Sequence, residues 1–265
     1  MAPDASYSFH PHYDGRFADK PLAAGEQRRH LVSMLQTYLS TMNDIGAETW
    51  IMHGSLLGWW WNRKIMPWDT DLDVMVSQSS MQHLADYYNM TVHHYKPPGF
   101  FSKGRDYMLE INPNYTNCTI EDDLNKIDAR WVDMDTGLFI DITTLRTDEQ
   151  LEAQGVEGAM MVKDNHHYMY NDIFPLRESL FEETPVKIPW AYSDLLIEEY
   201  GPQALTARDY QSYHFDQERM EWVPTRGVLT GPNKPGFIPS GGPSYRPGVD
   251  RPSHRQQGKN PTMPN

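Results

Sequence analysis

Helical and strand-like apolar patterns alternate through the middle of the chain, and this alternation limits the folds open to it. Apolar residues recur at helical spacing from Val32 to Ile45, which predicts a helix that ends near Gly46. The same reasoning predicts helices at 55–61, 81–88 and 191–200 and strands at 49–52, 72–76, 107–111, 127–132, 137–145 and 186–188. This irregular order favours an α/β (α+β) fold without a regular Rossmann repeat.

The charge is distributed unevenly along the chain. The whole sequence carries −13, yet residues 231–265 contribute +4, so residues 1–230 carry −17. This last stretch contains 8 prolines and 6 glycines, and it has too little apolar surface to offset the entropy lost on ordering. We therefore predict an irregular segment at 1–24, one folded domain at 25–225 and a disordered, basic, Pro/Gly-rich tail at 226–265.

The composition excludes several classes of protein. With 36 acidic and 23 basic side chains, the chain is not expected to bind nucleic acid, because phosphate backbones are held by clustered Lys and Arg. Cys118 is the single cysteine, which rules out an internal disulfide framework and a Cys-based zinc cluster. No apolar run reaches membrane-spanning length, and the polar stretch 1–11 predicts no signal peptide. Neither a GxGxxG motif nor a P-loop is present.

Three carboxylates alternate with other residues where a loop becomes a predicted strand. Asp69, Asp71 and Asp73 can converge, because side chains two residues apart in an extended chain point to the same face. Like charges at that distance repel unless a cation lies between them. Oxygen ligands of this kind suit Mg²⁺ or Mn²⁺. The alternative is a solvated acidic turn, since loops favour Asp.

Two further features favour the metal site over the acidic turn. Gly54 and Ser55 follow a predicted strand and begin a predicted helix, where backbone N–H groups and a hydroxyl can bind phosphate. Such a pair alone is more often just a helix cap. Asp141 interrupts an apolar strand, and a carboxylate there is costly to bury unless it is paired or metal-bound. The alternative for Asp141 is a salt bridge to Arg130.

Together these motifs resemble the LicD/fukutin family of nucleotidyltransferase-fold phosphotransferases. The resemblance is carried by residues 53–58 and 65–74. Residues 129–132 and 136–142 resemble the fungal, mannosylphosphorylation-type branch of the family. Residues 172–177 and 200–202 also fit the family pattern. It implies a nucleotidyltransferase-like mixed sheet flanked by helices. The chain departs from many members at Thr70, where they have Asp, which leaves one candidate carboxylate fewer.

The resemblance also implies an activity. A substituted phosphate, such as a sugar phosphate or phosphocholine, would pass from a CDP- or GDP-linked donor to a glycan hydroxyl in glycoprotein or cell-wall glycan modification. A non-catalytic scaffold or regulator of a mannosylphosphate transferase is the alternative, and a generic nucleotidyltransferase is a third hypothesis. Another glycosyl- or phosphotransferase is an expected partner. The Golgi or secretory-pathway lumen is favoured by analogy, and sequons at Asn89, Asn114 and Asn117 are compatible with it.

The site residues implied by the resemblance fall into two groups. Asp71, Asp73 and Asp141 would be catalytic and, with Asp69, would hold Mg²⁺ or Mn²⁺. Phosphate or substrate would be bound by Gly54, Ser55, Arg63, Lys64 and Arg130. Arg63 and Lys64 could instead be solvated charges, and Arg130 only a structural partner of Asp141.

Aromatic and histidine residues are expected to be mainly structural. Adjacent residues of a helix cannot share one face, so we expect most of Trp59, Trp60 and Trp61 in the core, although with Trp68 they also offer stacking surfaces. His53 is expected to be structural. The pair at 166–167 has no further Cys or His nearby in the sequence, which predicts no zinc site there.

Overall fold

A computed structural model describes residues 12–96, 103–118, 122 and 125–225. The chain divides into two compact units, of which the first contains residues 1–50, 70–146 and 162–164, and the second 51–69, 147–161 and 165–265. The predicted tail at 226–265 lies outside the described residues. The domain boundaries drawn from the sequence stay a prediction.

The described residues form six α-helices and thirteen strands. The helices are α1 (Ala24–Asp44), α2 (His53–Asn62), α3 (Gln78–Tyr87), α4 (Glu149–Ala153), α5 (Tyr170–Ile173) and α6 (Tyr192–Tyr200), with a short 3-10 helix at Pro202–Leu205. The strands are β1 (Thr49–Ile51), β2 (Asp73–Ser77), β3 (Thr91–Tyr95), β4 (Arg105–Ile111), β5 (Ala129–Asp133), β6 (Phe139–Thr147), β7 (Ala159–Met161), β8 (His167–Met169), β9 (Arg177–Phe181), β10 (Thr184–Ile188), β11 (Asp209–Tyr210), β12 (Tyr213–Asp216) and β13 (Glu221–Pro224). Within this described part, no helix is long and apolar enough to span a membrane.

The first unit is built on a mixed sheet whose strands follow the order β1-β2-β6-β5-β4-β3. β2 and β6 are parallel, whereas β6, β5, β4 and β3 pair antiparallel. The predicted α/β fold with a mixed sheet flanked by helices is therefore confirmed. The helix predicted to end near Gly46 ends at Asp44, and Gly46 has a φ of 73°, a left-handed conformation that commonly ends helices at Gly.

Helix α1 covers one face of this sheet. The indole of Trp131 contacts the ring of Tyr38 edge-on and donates a 3.3 Å hydrogen bond to Thr37 Oγ1. The hydroxyls of Tyr107 and Ser33 lie 3.0 Å apart. Because Trp131 and Tyr107 belong to neighbouring strands and point to the same face, α1 seals that face. The opposite face of the sheet carries the charged residues described below.

Residues 12–23, before α1, form no helix and are packed onto the sheet. Tyr13 is buried and forms an isolated bridge with Leu138. The Asp14 N–H donates to the Gly137 carbonyl at 2.7 Å. Gly137 has a φ of 76°, and a Cβ at this position would lie 2.6 Å from the Asp14 carbonyl oxygen. The close approach of the segment therefore requires glycine there.

The second unit contains the hairpins β7–β8 and β9–β10 and the three-stranded sheet β11-β12-β13. All three tryptophans of α2 are buried, which confirms the prediction that most of them are core. Trp59 donates to Ser179 Oγ at 2.8 Å, and Trp60 contacts the Tyr192 ring. Trp61 points elsewhere, towards Phe215 and Trp222 of the three-stranded sheet.

A fully buried carboxylate in the first unit is neutralised by two cations. Asp128 lies 2.9 Å from Arg146 Nη2 and 2.8 Å from Lys163 Nζ, and both Asp128 and Lys163 are 0% exposed. Asp128 Oδ2 also accepts the backbone N–H of Thr144 in β6 at 2.8 Å. The group therefore holds the loop before β5 and residues 162–164 to the sheet.

We expect Asp128→Ala to lower the free energy of unfolding by about 3–5 kcal/mol, because two buried cations then lose their counter-charge. Urea titration followed by circular dichroism measures the change. Asp44→Ala, at an exposed carboxylate at the end of α1, is the control and should be nearly neutral. Equal effects of the two substitutions would contradict the assignment of Asp128.

Candidate functional site

Strand register places four charged residues in one row across the sheet of the first unit. Asp73 pairs with Asp141, Asp141 with Arg130, and Arg130 with Glu110, on β2, β6, β5 and β4. Directly paired residues of neighbouring strands point to the same face. These positions have the opposite parity to Trp131, so the row lies on the face that α1 does not cover.

Asp141 is the half-buried centre of this row. Arg130 Nε donates to Asp141 Oδ1 at 2.9 Å, and the guanidinium carbon lies 4.0 Å from the centre of the Phe139 ring. Burial raises the pKa of Asp141, as does the negative charge of Asp71, while Arg130 and His12 lower it, with a net increase. Arg130 and His12 together therefore do not offset the effects of burial and of Asp71 on the pKa of this carboxyl group. The salt bridge between Asp141 and Arg130, which the sequence analysis gave as the alternative for Asp141, is present. A role of Arg130 in phosphate binding stays a prediction.

Asp71 completes a group of three carboxylates. It lies two positions before Asp73, where β2 begins, is 40% exposed, and has its Oδ2 3.4 Å from His12 Nδ1. Its charge acts on Asp141, whose strand neighbour is Asp73. The structure thus pairs Asp73 with Asp141 and places the charge of Asp71 where it acts on Asp141, while their role as metal ligands stays a prediction. An all-oxygen donor set with excess negative charge fits a hard divalent cation such as Mg²⁺ or Mn²⁺.

A cavity of about 540 Å³ in the same unit adjoins the charged row. Its lining includes Arg130 and Glu110 from the row, together with Lys126. The volume lies within the range of small-molecule sites. The two cations make the cavity suitable for an anionic ligand, with Arg130 shared between the cavity and Asp141.

Asp69, Gly54 and Ser55 belong to the second unit. Gly54 lies in the first turn of α2, and a Cβ there would be 3.6 Å from Asp69 Oδ2, an ordinary contact distance. Ser55 is buried. A carboxylate beside the first turn of a helix is favoured by the helix dipole. Asp69 therefore lies next to the same Gly-Ser turn for which the sequence predicts phosphate binding.

Arg63 and Lys64 also lie in the second unit, just after α2. Arg63 is the exposed C-terminal cap of the helix with a φ of 60°. Lys64 Nζ is 3.3 Å from Glu221 Oε1, and about half of each side chain is exposed. An exposed pair of this kind contributes little to stability. A phosphate-binding role of either cation stays a prediction.

Sequence reasoning missed several residues of these sites. Glu110 and His12 had no motif to mark them, because their importance comes from strand register and from a contact distant in sequence. A second group consists of His53, His166 and Glu199 in the second unit. His166 was discounted because no other ligand lies near it in the sequence, yet the structure brings it to His53 and Glu199, which are 113 and 33 positions away.

The fold and the carboxylate site agree with one family of transferases. Residues 46–191 match the model of the LicD/FKTN/FKRP nucleotidyltransferase domain. This match covers more than half of the chain, and the protein belongs to the LicD family. The family expected from the motifs at 53–58 and 65–74 is thereby confirmed.

Two proteins of Saccharomyces cerevisiae are similar in sequence to part of this chain. Mannosyltransferase regulator 4 is 33% identical over 137 residues, which is 51% of this chain and 11% of that protein. Mannosyltransferase regulator 14 is 29% identical over 120 residues, or 45% of this chain and 12% of that protein. The chain thus matches only about a tenth of the length of these relatives.

Replacement of Arg130 tests whether its positive charge partly offsets the raised pKa of Asp141. Because the pKa of Asp141 is already raised in the folded state, loss of its proton costs stability as pH rises above the ordinary carboxyl value of about 3.9. Arg130→Gln should raise this pKa further. We expect the variant to lose about 1 kcal/mol at pH 8 and clearly less at pH 4.5, as measured by urea unfolding at both pH values.

The double variant Arg130→Gln/Asp141→Asn provides the control, since it has no carboxyl group at position 141. Its difference from Asp141→Asn alone should not depend on pH. A pH-independent effect of Arg130→Gln in the wild-type background would contradict the proposed balance of charge.

Proposed function

We propose that the protein is a metal-dependent phosphotransferase that moves a substituted phosphate from a CDP- or GDP-linked donor to a glycan hydroxyl. The observation that supports this most directly is the register that pairs Asp73 with Asp141 on adjacent strands of a LicD-family sheet, with the charge of Asp71 acting on Asp141. Carboxylates on neighbouring positions of a sheet repel one another, and a divalent cation between them would offset that repulsion.

In this proposal Asp71 and Asp73 hold Mg²⁺ or Mn²⁺, which would supply positive charge to the donor diphosphate, and Asp141 lies beside them. Arg130 already touches Asp141 and lines the cavity, so it is placed to contact a donor phosphate there. Lys126 lines the same cavity and adds a second cation. These side chains would stabilise the charge that develops on the departing nucleotide.

Asp141 has the properties of a general base. Its raised pKa places it closer to neutrality than an ordinary carboxylate, and proton transfer is most efficient when the pKa of the base is near the working pH. We therefore assign to Asp141 the acceptance of the proton from the attacking glycan hydroxyl. Arg130 would keep the carboxylate oriented through its 2.9 Å hydrogen bond.

Further roles follow the family resemblance. Asp69 is proposed as an additional metal ligand, and the Gly54–Ser55 turn as a phosphate contact through its backbone N–H groups. Arg63 and Lys64 are proposed to attract the anionic donor, because both are exposed. Conversion of each to Gln should weaken donor binding more at low than at high ionic strength.

The second candidate is a non-catalytic regulator of a mannosylphosphate transferase. It is supported by the names of the two yeast proteins, both of which are called mannosyltransferase regulators. A regulator could retain the carboxylate site and its nucleotide binding without turnover. Glycan modification in the secretory pathway, with another transferase as partner, is common to both candidates.

Metal binding separates a true carboxylate site from an acidic surface. We expect millimolar Mg²⁺, which prefers oxygen ligands, to raise the melting temperature of the wild type, and Asp73→Asn to abolish the rise, because a ligand that binds only the folded state stabilises it. Differential scanning fluorimetry measures both. Asp44→Asn is the control and should keep the wild-type response, whereas an equal response of Asp73→Asn would contradict the site.

Turnover separates the enzyme from the regulator. The enzyme should release CMP or GMP from a CDP- or GDP-linked donor in the presence of Mn²⁺ and a glycan acceptor, with Asp73→Asn slower by about 100-fold or more. Liquid chromatography measures the nucleotide, and mass spectrometry of the acceptor shows whether a substituted phosphate or a nucleotide was added. Metal and donor binding without turnover across both donor classes would favour the regulator.

A further inference from the structure

Two histidines and a glutamate of the second unit converge at a place separate in sequence from the Asp69–Asp73 motif. The potential ligand atoms of His53, His166 and Glu199 all lie within 4.8 Å of one another. His53 Nδ1 is 2.8 Å from Glu199 Oε1, and the rings of His53 and His166 are 5.1 Å apart. All three residues are half-buried.

The three side chains come from elements far apart in the chain. His53 is the first residue of α2, Glu199 lies in the last turn of α6, and His166 immediately precedes β8. His53 has a φ of 51°, a left-handed conformation that is uncommon for residues other than glycine. The second unit therefore holds His53 in an unfavourable backbone conformation at the point where its ring meets Glu199.

The donor set determines which cation the group suits. Two imidazoles and one carboxylate are the protein ligands of many zinc sites that keep a fourth position open. Imidazole nitrogen favours zinc and similar transition metals, whereas Mg²⁺ and Ca²⁺ prefer oxygen ligands. In tetrahedral zinc the ligand atoms are about 3.4 Å apart, so small side-chain rotations bring the three atoms to binding distance.

Solvent reaches this group of side chains. The side chains of His53 and Glu199 remain 13% and 20% exposed, which leaves a path for an ion from solvent.

We propose that His53, His166 and Glu199 bind a zinc-class divalent metal ion, with the fourth coordination position open to water or an anionic ligand oxygen. The ion would join the start of α2 to the end of α6 and the segment before β8. The neighbouring histidine is differently placed, since His167 Nδ1 lies 2.9 Å from Asp148 Oδ2. This inference does not depend on the proposed phosphotransferase activity.

Titration of the wild type and of single-residue variants with Zn²⁺ tests the site. Excess Mg²⁺ is present throughout, so that sites made only of oxygen ligands are already occupied. Isothermal titration calorimetry should show one zinc ion bound by the wild type, with affinity reduced by about 100-fold or more in His53→Ala and in Glu199→Gln. His167→Ala is the matched control and should bind as the wild type does. Asp73→Asn, in the carboxylate row, should also retain this zinc ion.

Cobalt provides a second readout that identifies the ligands. Co²⁺ added to the wild type should give the visible absorption bands of a four-coordinate site with nitrogen ligands, and Glu199→Gln, which preserves size and helix propensity, should lose them. Circular dichroism confirms that the variants are folded. Absence of zinc binding in the wild type would overturn the proposal, as would equal affinity in His53→Ala, Glu199→Gln and His167→Ala.

Discussion

The parallel pairing of β2 with β6 is the constraint on which the carboxylate site depends. This register sets Asp73 beside Asp141, and the antiparallel pairing with β5 sets Arg130 on the other side of Asp141. A shift of one residue in β2 would turn Asp73 to the face covered by α1 and would move Val74 to the face of the charged row. Strand pairing therefore fixes the relative positions of Asp73, Asp141 and Arg130 in the sheet.

The two faces of that sheet differ in how their buried charges are compensated. On the α1 side, Trp131 and Tyr107 stack at 5.7 Å with their rings nearly parallel, and buried Asp133 is neutralised by Arg105 at 2.6 Å. Burial would raise the pKa of Asp133, but His30 and Arg105 outweigh it and lower the pKa. Asp141, on the other face, has the opposite shift. Asp133, whose negative charge is offset by its neighbours, therefore lies on the face covered by α1. Asp141, whose charge is not fully offset, lies on the face of the candidate site.

Sequence patterns predicted the long elements and the carboxylates, because both leave local signals. The helix at 24–44 and the strand around Asp141 have clear periodicity or apolar runs. Strand β3 was missed because its polar, His-containing sequence has no apolar run, although His93 packs against Trp131. The group of His53, His166 and Glu199 depends on contacts across up to 146 positions, which no local pattern encodes.

The fully buried Lys163 has a consequence for how the chain can be divided. Residues 162–164 belong to the first unit, although segments of the second precede and follow them. During synthesis, Lys163, the second cation that contacts Asp128, is added 35 residues after Asp128. A fragment that stops after β6 would leave Asp128 with Arg146 alone, so no single cut separates the two units with both of their interiors complete.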